Sequence, residues 1–168
     1  MIQQIYPQVN HPFDFEVNKD MHFAAAHFIP HELAGKCANV HGHTYFANVT
    51  IAGDNLDKLG FLTNFQAIKK VVHDRYDHTL MNEHPEFAHR KEHLEEGQVP
   101  PSTEAVARAI AELVQDHLDE EGNGVQCVQV FLRETPTSYV TYRPKINYET
   151  TTLYADNEVI EQHTEVFE

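Results

Sequence analysis

Basic residues are scarce in this chain, and so are cysteine and tryptophan. Lysine and arginine together number 12 against 26 aspartates and glutamates, which gives the 168 residues a formal net charge of −14. A nucleic-acid-binding protein needs a basic face to neutralise phosphates, so this charge argues against that class and against attachment to anionic membrane surfaces. The two cysteines, Cys37 and Cys127, are too few for a disulfide framework.

Long apolar runs are also absent. No stretch approaches the ~20 residues that span a bilayer. The first four residues carry neither the basic nor the apolar part of a signal peptide. We therefore expect a cytoplasmic protein that does not act on membranes. Its length suits a single domain over residues 1–168 and is too short for two comfortable ones.

The hydrophobic pattern predicts four strands and two helices. Apolar and polar residues alternate in the strand segments, whereas apolar residues recur three or four apart in the helical segments. The predicted strands cover residues 13–23, 44–52, 128–133 and 139–143, and the predicted helices cover residues 64–76 and the stretch between Pro100–Thr103 and Gly122. This order, with strands at both ends and helices between them, favours an α+β fold. Residues 150–154 have the composition of one more strand.

Histidine is abundant, with 13 copies, and it is the commonest metal ligand in proteins. In His41-Gly42-His43, residues two apart on a strand point to the same side, so the two imidazoles can bind one ion. A catalytic zinc site usually has three protein ligands and an open position. His27, which follows the small residues Ala24–Ala26, is the candidate for the third. A pair of exposed strand histidines is the alternative.

Cys37 lies four residues before His41 and follows Gly35 and Lys36. A neighbouring cation favours the thiolate form of a cysteine, so Cys37 is a candidate base or nucleophile. A fourth zinc ligand and an inert buried thiol are the alternatives.

Two further positions carry acid–base groups. Asp77 and His78 follow the first predicted helix; neighbours in sequence cannot form a tight pair by themselves, but they can belong to a proton relay. A histidine placed by the helix dipole is the alternative. Glu134 ends a strand, where a carboxylate can receive two parallel N–H donors from an amidine-like ligand edge. From spacing alone, an ordinary exposed glutamate is the better interpretation.

Together and in this order, these motifs resemble the 6-pyruvoyltetrahydropterin synthase superfamily. The matching motifs are Ala26-His27, Cys37-x-x-x-His41-Gly42-His43, Asp77-His78 and Arg133-Glu134-Thr135. The spacing of three residues between Cys37 and His41 resembles that of the bacterial 6-carboxy-5,6,7,8-tetrahydropterin synthase branch. The animal pyruvoyl enzymes have a longer spacing at this point. The resemblance covers roughly residues 13–143, and the tail from about residue 146 lies outside it.

The resemblance implies a tunnelling fold, in which an antiparallel four-stranded sheet carries two helices on one face. It also implies that subunits assemble into a β-barrel with active sites at their interfaces. We therefore expect a homo-oligomer, either a hexamer or a tetramer.

The resemblance also implies roles for the residues singled out above. The implied Zn²⁺ ligands are His27, His41 and His43. Cys37 would be the catalytic base, supported by Asp77 and His78, and Glu134 would anchor a pterin.

The implied reaction is a zinc-dependent lyase reaction on a small molecule, 7,8-dihydroneopterin triphosphate. Its products would be 6-carboxy-5,6,7,8-tetrahydropterin, acetaldehyde and triphosphate, in queuosine (7-deazaguanine) biosynthesis. Lys36 and Arg143 are candidate cations for the triphosphate. Triphosphate elimination alone, forming 6-pyruvoyltetrahydropterin, is one alternative. A non-catalytic zinc-binding protein on the same scaffold is another.

Overall fold

The computed structural model describes residues 6–88 and 98–147. Its elements in chain order are β1 (Phe15–His27), β2 (His41–Gly53), α1 (Phe65–Tyr76), β3 (Thr79–Leu80), α2 (Thr103–Glu121), β4 (Gln126–Thr135) and β5 (Ser138–Tyr142), with two 3₁₀ segments at Glu32–Ala38 and Met81–Glu83. The strand predicted at residues 150–154 falls outside the described residues. Within the described residues, no helix is both long enough and apolar enough to cross a membrane.

The strands form one mixed sheet in the order β3-β1-β2-β4-β5. The four long strands are antiparallel to their neighbours. The expected count of four strands is wrong, because β3 adds a fifth that pairs in parallel with Ala25 and Ala26 of β1. With only two residues, β3 is too short for the alternating pattern by which a strand is recognised in a sequence.

The hydrophobic core lies between one face of the sheet and both helices, so the two helices share a face as the resemblance implied. Alternate residues of β1 and β2 point into it, among them Met21, Phe23, Tyr45, Val49 and Ile51. The helices contribute apolar residues at helical spacing, which are Ile68, Val72 and Tyr76 of α1 and Val106, Ile110, Val114 and Leu118 of α2.

Both helices begin and end close to where the sequence predicts. The Asn64 side chain caps α1 by accepting a hydrogen bond from the backbone N–H of Gln66 at 2.8 Å. Ser102 caps α2 in the same way, and Gly122 ends it in a left-handed conformation with φ 70°. A side-chain cap stabilises a helix by ~1 kcal/mol. Pro101, the residue before this cap, contacts His27 at the end of β1 through its carbonyl oxygen.

Candidate metal centre and active site

Three strands meet at one end of the sheet and bring together residues that are far apart in the sequence. His27 ends β1 and pairs with His41, the first residue of β2. Arg133 of β4 pairs with Phe46, so the next residue of β4, Glu134, lies beside Tyr45 at the same end. Alternate residues of a strand share a face, so His41, His43 and Tyr45 all point to the helix side of the sheet.

His27, His41 and His43 form a cluster that matches the predicted ligand set. One ring nitrogen from each lies within 4.8 Å of the others. The ring centroid of His27 is 4.5 Å from that of His41 and 5.3 Å from that of His43. His27 is buried, whereas the other two are partly exposed, so the cluster opens towards solvent on the β2 side.

Backbone carbonyls determine which nitrogen of two of these rings carries the proton. Nδ1 of His27 lies 2.7 Å from the carbonyl oxygen of Pro101, and Nδ1 of His41 lies 2.8 Å from that of Asn39. A carbonyl oxygen only accepts, so each Nδ1 is the donor and each Nε2 keeps a lone pair. Ligating histidines in metal sites commonly have this second hydrogen bond.

The Nε2 atom of His27 gives a direct test of whether a metal fits. It is buried and has no hydrogen-bond partner among the described residues. Burial lowers the pKa of His27 below its usual value, so its ring is neutral near pH 7 and available as a ligand. Three imidazole nitrogens suit zinc, and they leave one position of a tetrahedral site open. The residues present therefore fit a Zn²⁺ ion.

Glu134 reaches this cluster and is not the exposed glutamate that spacing alone favoured. Its Oε1 atom is 3.5 Å from Nε2 of His27 and 3.8 Å from Nε2 of His43. Tyr45 is fully buried beside it, and its pKa is raised above the usual range by burial and by the Glu134 carboxylate. Tyr45 therefore stays protonated, and Glu134 lies where a ligand at the histidines would meet a carboxylate.

Cys37 lies in the 3₁₀ segment that connects β1 to β2, and its side chain is exposed. The segment bends at Gly35, whose φ of 57° and ψ of −123° are unfavourable for residues with a side chain. The carbonyl oxygen of Cys37 accepts a hydrogen bond from the backbone of Ile29 at 2.8 Å. Cys37 therefore lies beyond the His27 end of β1, outside the histidine cluster, with an accessible thiol.

Asp77 and His78 form a pair despite being neighbours, contrary to the sequence-based expectation. Oδ2 of Asp77 is 3.0 Å from Nδ1 of His78. His78 also has a positive φ of 60°, in the left-handed region that residues with a side chain rarely adopt. A hydrogen bond from the backbone N–H of Ala24 to Asp77, together with the contact to His78, holds the pKa of Asp77 below its usual value.

This pair and Cys37 lie on opposite sides of the histidines within one chain. The backbone of His78 donates to the carbonyl of Ala24, three residues before His27 and about 10 Å back along β1. Cys37, in contrast, contacts Ile29, two residues after His27. The His78 side chain is 82% exposed. The fold thus brings the three histidines and Glu134 together, but it does not bring Asp77 and His78 to the Cys37 of the same chain.

An open groove of about 550 Å³ runs between His43 and His78. Small residues of β1 and β2, among them Ala24, Ala26 and Gly42, line it. A Cβ atom at Gly42 would lie 3.4 Å from the carbonyl oxygen of Ala25. Ala24 and Ala26 alternate with Ala25 and His27 along β1, so their side chains lie on the face of the sheet opposite to the histidine cluster.

The two cations considered for the triphosphate occupy different places. Lys36 is exposed and precedes Cys37 in the 3₁₀ segment. Arg143 follows Tyr142, which pairs with Val130. Val130 is four residues before Glu134, or about 13 Å along the strand. Arg143 is therefore distant from the Glu134 of its own chain.

Sequence reasoning missed three residues of the site: Tyr45 and the two residues, Asn39 and Pro101, whose carbonyls orient histidine rings. Tyr45 continues the alternation of His41 and His43, so the strand periodicity alone could have identified it. The Pro101 carbonyl, which holds the ring of His27, is 74 residues away in the sequence and had no sequence signal.

The chain matches a family model described as 6-pyruvoyl tetrahydropterin synthase over residues 16–145. It is 57% identical over 145 residues to the 6-carboxy-5,6,7,8-tetrahydropterin synthase of Bacillus subtilis, covering 86% of this chain and 96% of that protein. A protein of the same name from Synechocystis sp. is 32% identical over 127 residues, covering 75% and 91% of the two chains. The solved structure of Caenorhabditis elegans 6-pyruvoyl tetrahydropterin synthase has a TM-score of 0.59 at 24% identity, covering 78% of this chain and 96% of that one, a similarity of fold.

Proposed function

Because the chain belongs to the 6-pyruvoyl tetrahydropterin synthase family, we propose that it is a zinc-dependent lyase. Its substrates are 7,8-dihydroneopterin triphosphate and water, and its products are 6-carboxy-5,6,7,8-tetrahydropterin, acetaldehyde and triphosphate, in queuosine biosynthesis. The observation that carries this proposal is the convergence of three imidazoles and the Glu134 carboxylate at one end of the sheet. The relative at 57% identity, named for the carboxy product, supports it.

In this proposal His27, His41 and His43 would hold the zinc ion, and the Nδ1 contacts of His27 and His41 leave Nε2 as the free nitrogen of those two rings. When bound, the zinc ion supplies Lewis-acid chemistry to the side-chain hydroxyls of the substrate. The carbonyls of Pro101 and Asn39 keep two of the three rings in the ligating tautomer. Three histidines fill the protein positions of an open zinc site, so Cys37 is left free for chemistry.

The acid–base groups then have separate tasks. Cys37, as thiolate, removes the proton from the side-chain carbon next to the pterin ring. Glu134 accepts hydrogen bonds from the amidine-like edge of the pterin. Tyr45 beside it stays protonated, so it adds no second negative charge next to the Glu134 carboxylate. His78 and Asp77 form the proton relay, with Nδ1 of His78 3.0 Å from Oδ2 of Asp77.

The separation of Cys37 from Asp77 and His78 favours a site shared between subunits. The exposed imidazole of His78 is available to a neighbouring chain. Leu33 and Val40, on either side of Cys37, are 90% and 63% exposed, which is unusual for apolar residues beside an active site. In an assembly, the Asp77–His78 pair of one subunit completes the site that holds Cys37 of another.

We expect light scattering at micromolar concentration to give the mass of a hexamer or tetramer of 19.3 kDa chains. No described strand pairs with residues 15–23 on the side of β1 away from β2, and β5 forms the other edge of the sheet. Proteins usually pair or cover such edges, and pairing between subunits would close a barrel. A mass of one chain throughout the concentration range would contradict this prediction.

The sibling reaction, triphosphate elimination to 6-pyruvoyltetrahydropterin, is the second candidate, because the family model carries that name. Incubation of the purified protein with 7,8-dihydroneopterin triphosphate distinguishes the two. We expect acetaldehyde in amounts equal to triphosphate. Triphosphate without acetaldehyde would indicate the sibling reaction, and neither product would indicate a non-catalytic zinc-binding protein.

A further inference from the structure

Asn82 is a buried polar residue that touches neither the histidine cluster nor the catalytic candidates. It lies in the 3₁₀ segment Met81–Glu83, and only 2% of its surface is exposed. Its Oδ1 accepts from the backbone N–H of Phe28 at 2.9 Å. Its Nδ2 donates to the carbonyl of Phe28 at 2.9 Å and to that of Ala88 at 2.8 Å. The amide therefore has a partner at both ends, as a buried amide requires.

The contacts with Phe28 replace a strand partner at the point where β1 ends. β1 is paired with β2 up to His27 and no further. Asn82 hydrogen-bonds to both the N–H and the carbonyl of Phe28, the residue after His27, as an adjacent strand would. The main chain immediately after the ligand His27 is thereby held in one position.

The contact with Ala88 leads back to the ring of His27 by a second route. The N–H of Ala88 donates to the carbonyl of Val99 at 2.9 Å. Two residues later, the carbonyl of Pro101 accepts the hydrogen bond from Nδ1 of His27 at 2.7 Å. Hydrogen bonds and short pieces of chain thus form a closed ring through Asn82 that returns to His27.

We propose that Asn82 is a positioning residue for the metal ligand His27. It acts on the main chain of His27 through Phe28 and on the orientation of its ring through Ala88, Val99 and Pro101. Residues that orient a ligating histidine affect metal binding without touching the metal. The inference rests on the zinc site of the proposed function.

The test compares Asn82→Ala with Asn123→Ala, a matched control at the other end of the sheet. Asn123 also bonds backbone groups through both ends of its amide, to Leu62 at 3.0 Å and to Val125 at 3.4 Å. Loss of either amide removes structural hydrogen bonds, but only Asn82 is connected to His27. The zinc dissociation constant is measured by competition with a chromophoric chelator, and urea unfolding of both variants gives their stability.

We expect zinc affinity to fall by about 10- to 100-fold in Asn82→Ala, the usual effect of removing a residue that orients a ligand. The zinc dissociation constant of Asn123→Ala should stay within threefold of that of the unaltered protein, even if this variant loses as much stability as Asn82→Ala. The visible spectrum of the Co²⁺ form should change in Asn82→Ala and not in the control. If Asn82→Ala does not fold, Asn82→Asp keeps the acceptor for Phe28 but loses both donors, and the same fall in affinity is expected.

Unchanged zinc affinity in the folded Asn82 variant, or an equal loss in Asn123→Ala, would overturn the positioning role and leave the proposed function standing. If the unaltered protein binds no zinc, the metal centre of the proposed function fails as well, and the two inferences fall together.

Discussion

Cys37→Ala is expected to keep its zinc while turnover falls by about 10²- to 10⁴-fold, the usual contribution of a positioned base. The thiol is exposed and lies outside the histidine cluster, and the three histidines already supply the protein ligands of an open site. Metal content and turnover are measured on the same purified sample. Cys37→Ser should be little better, because a hydroxyl is far harder to ionise than a thiol.

Glu134→Ala is the matched control for this prediction and should give the opposite result. Its carboxylate is 3.5 Å from His27, but its proposed partner is the pterin, so substrate binding should weaken while the zinc content is retained. If Cys37→Ala loses zinc together with activity, Cys37 is a ligand and the proposed mechanism is wrong. If zinc and turnover both survive, Cys37 has no part in the reaction.

His41→Ala is expected to lose stoichiometric zinc and, with it, measurable turnover. Removing one of three imidazoles leaves only two protein ligands, and one of the remaining pair, His27, would still have a buried Nε2 atom without a partner. Elemental analysis of protein purified without chelator should give about one zinc per chain for the unaltered protein and clearly less for His41→Ala.

His117→Ala is the control for loss of a histidine as such. His117 lies on α2 outside the cluster, 3.6 Å from Glu121, so its removal should leave the zinc content unchanged. Full retention of zinc in His27→Ala, His41→Ala and His43→Ala alike would refute the metal centre.

Local patterns in the sequence were enough for the helices, the long strands and part of the site. Capping by Asn64 and the left-handed Gly122 depend on neighbouring residues, so the ends of α1 and α2 could be predicted closely. The shared direction of His41 and His43 follows from strand geometry alone. His27 was the candidate third ligand because small residues precede it, and the family resemblance added the roles of the site residues, which rest on the order of the motifs along the chain.

Only the tertiary structure decided how these pieces meet. The pairing of His27 with His41 is a matter of register between two strands, and a shift of one residue would turn the histidines of one strand to the opposite face. The Pro101 carbonyl on His27, the approach of Glu134 and the Asn82 contacts join residues dozens of positions apart. The short parallel strand β3 and the left-handed His78 depend on the path of the chain after α1. Such contacts depend on how the whole sheet packs against the two helices, so a local sequence pattern cannot predict them.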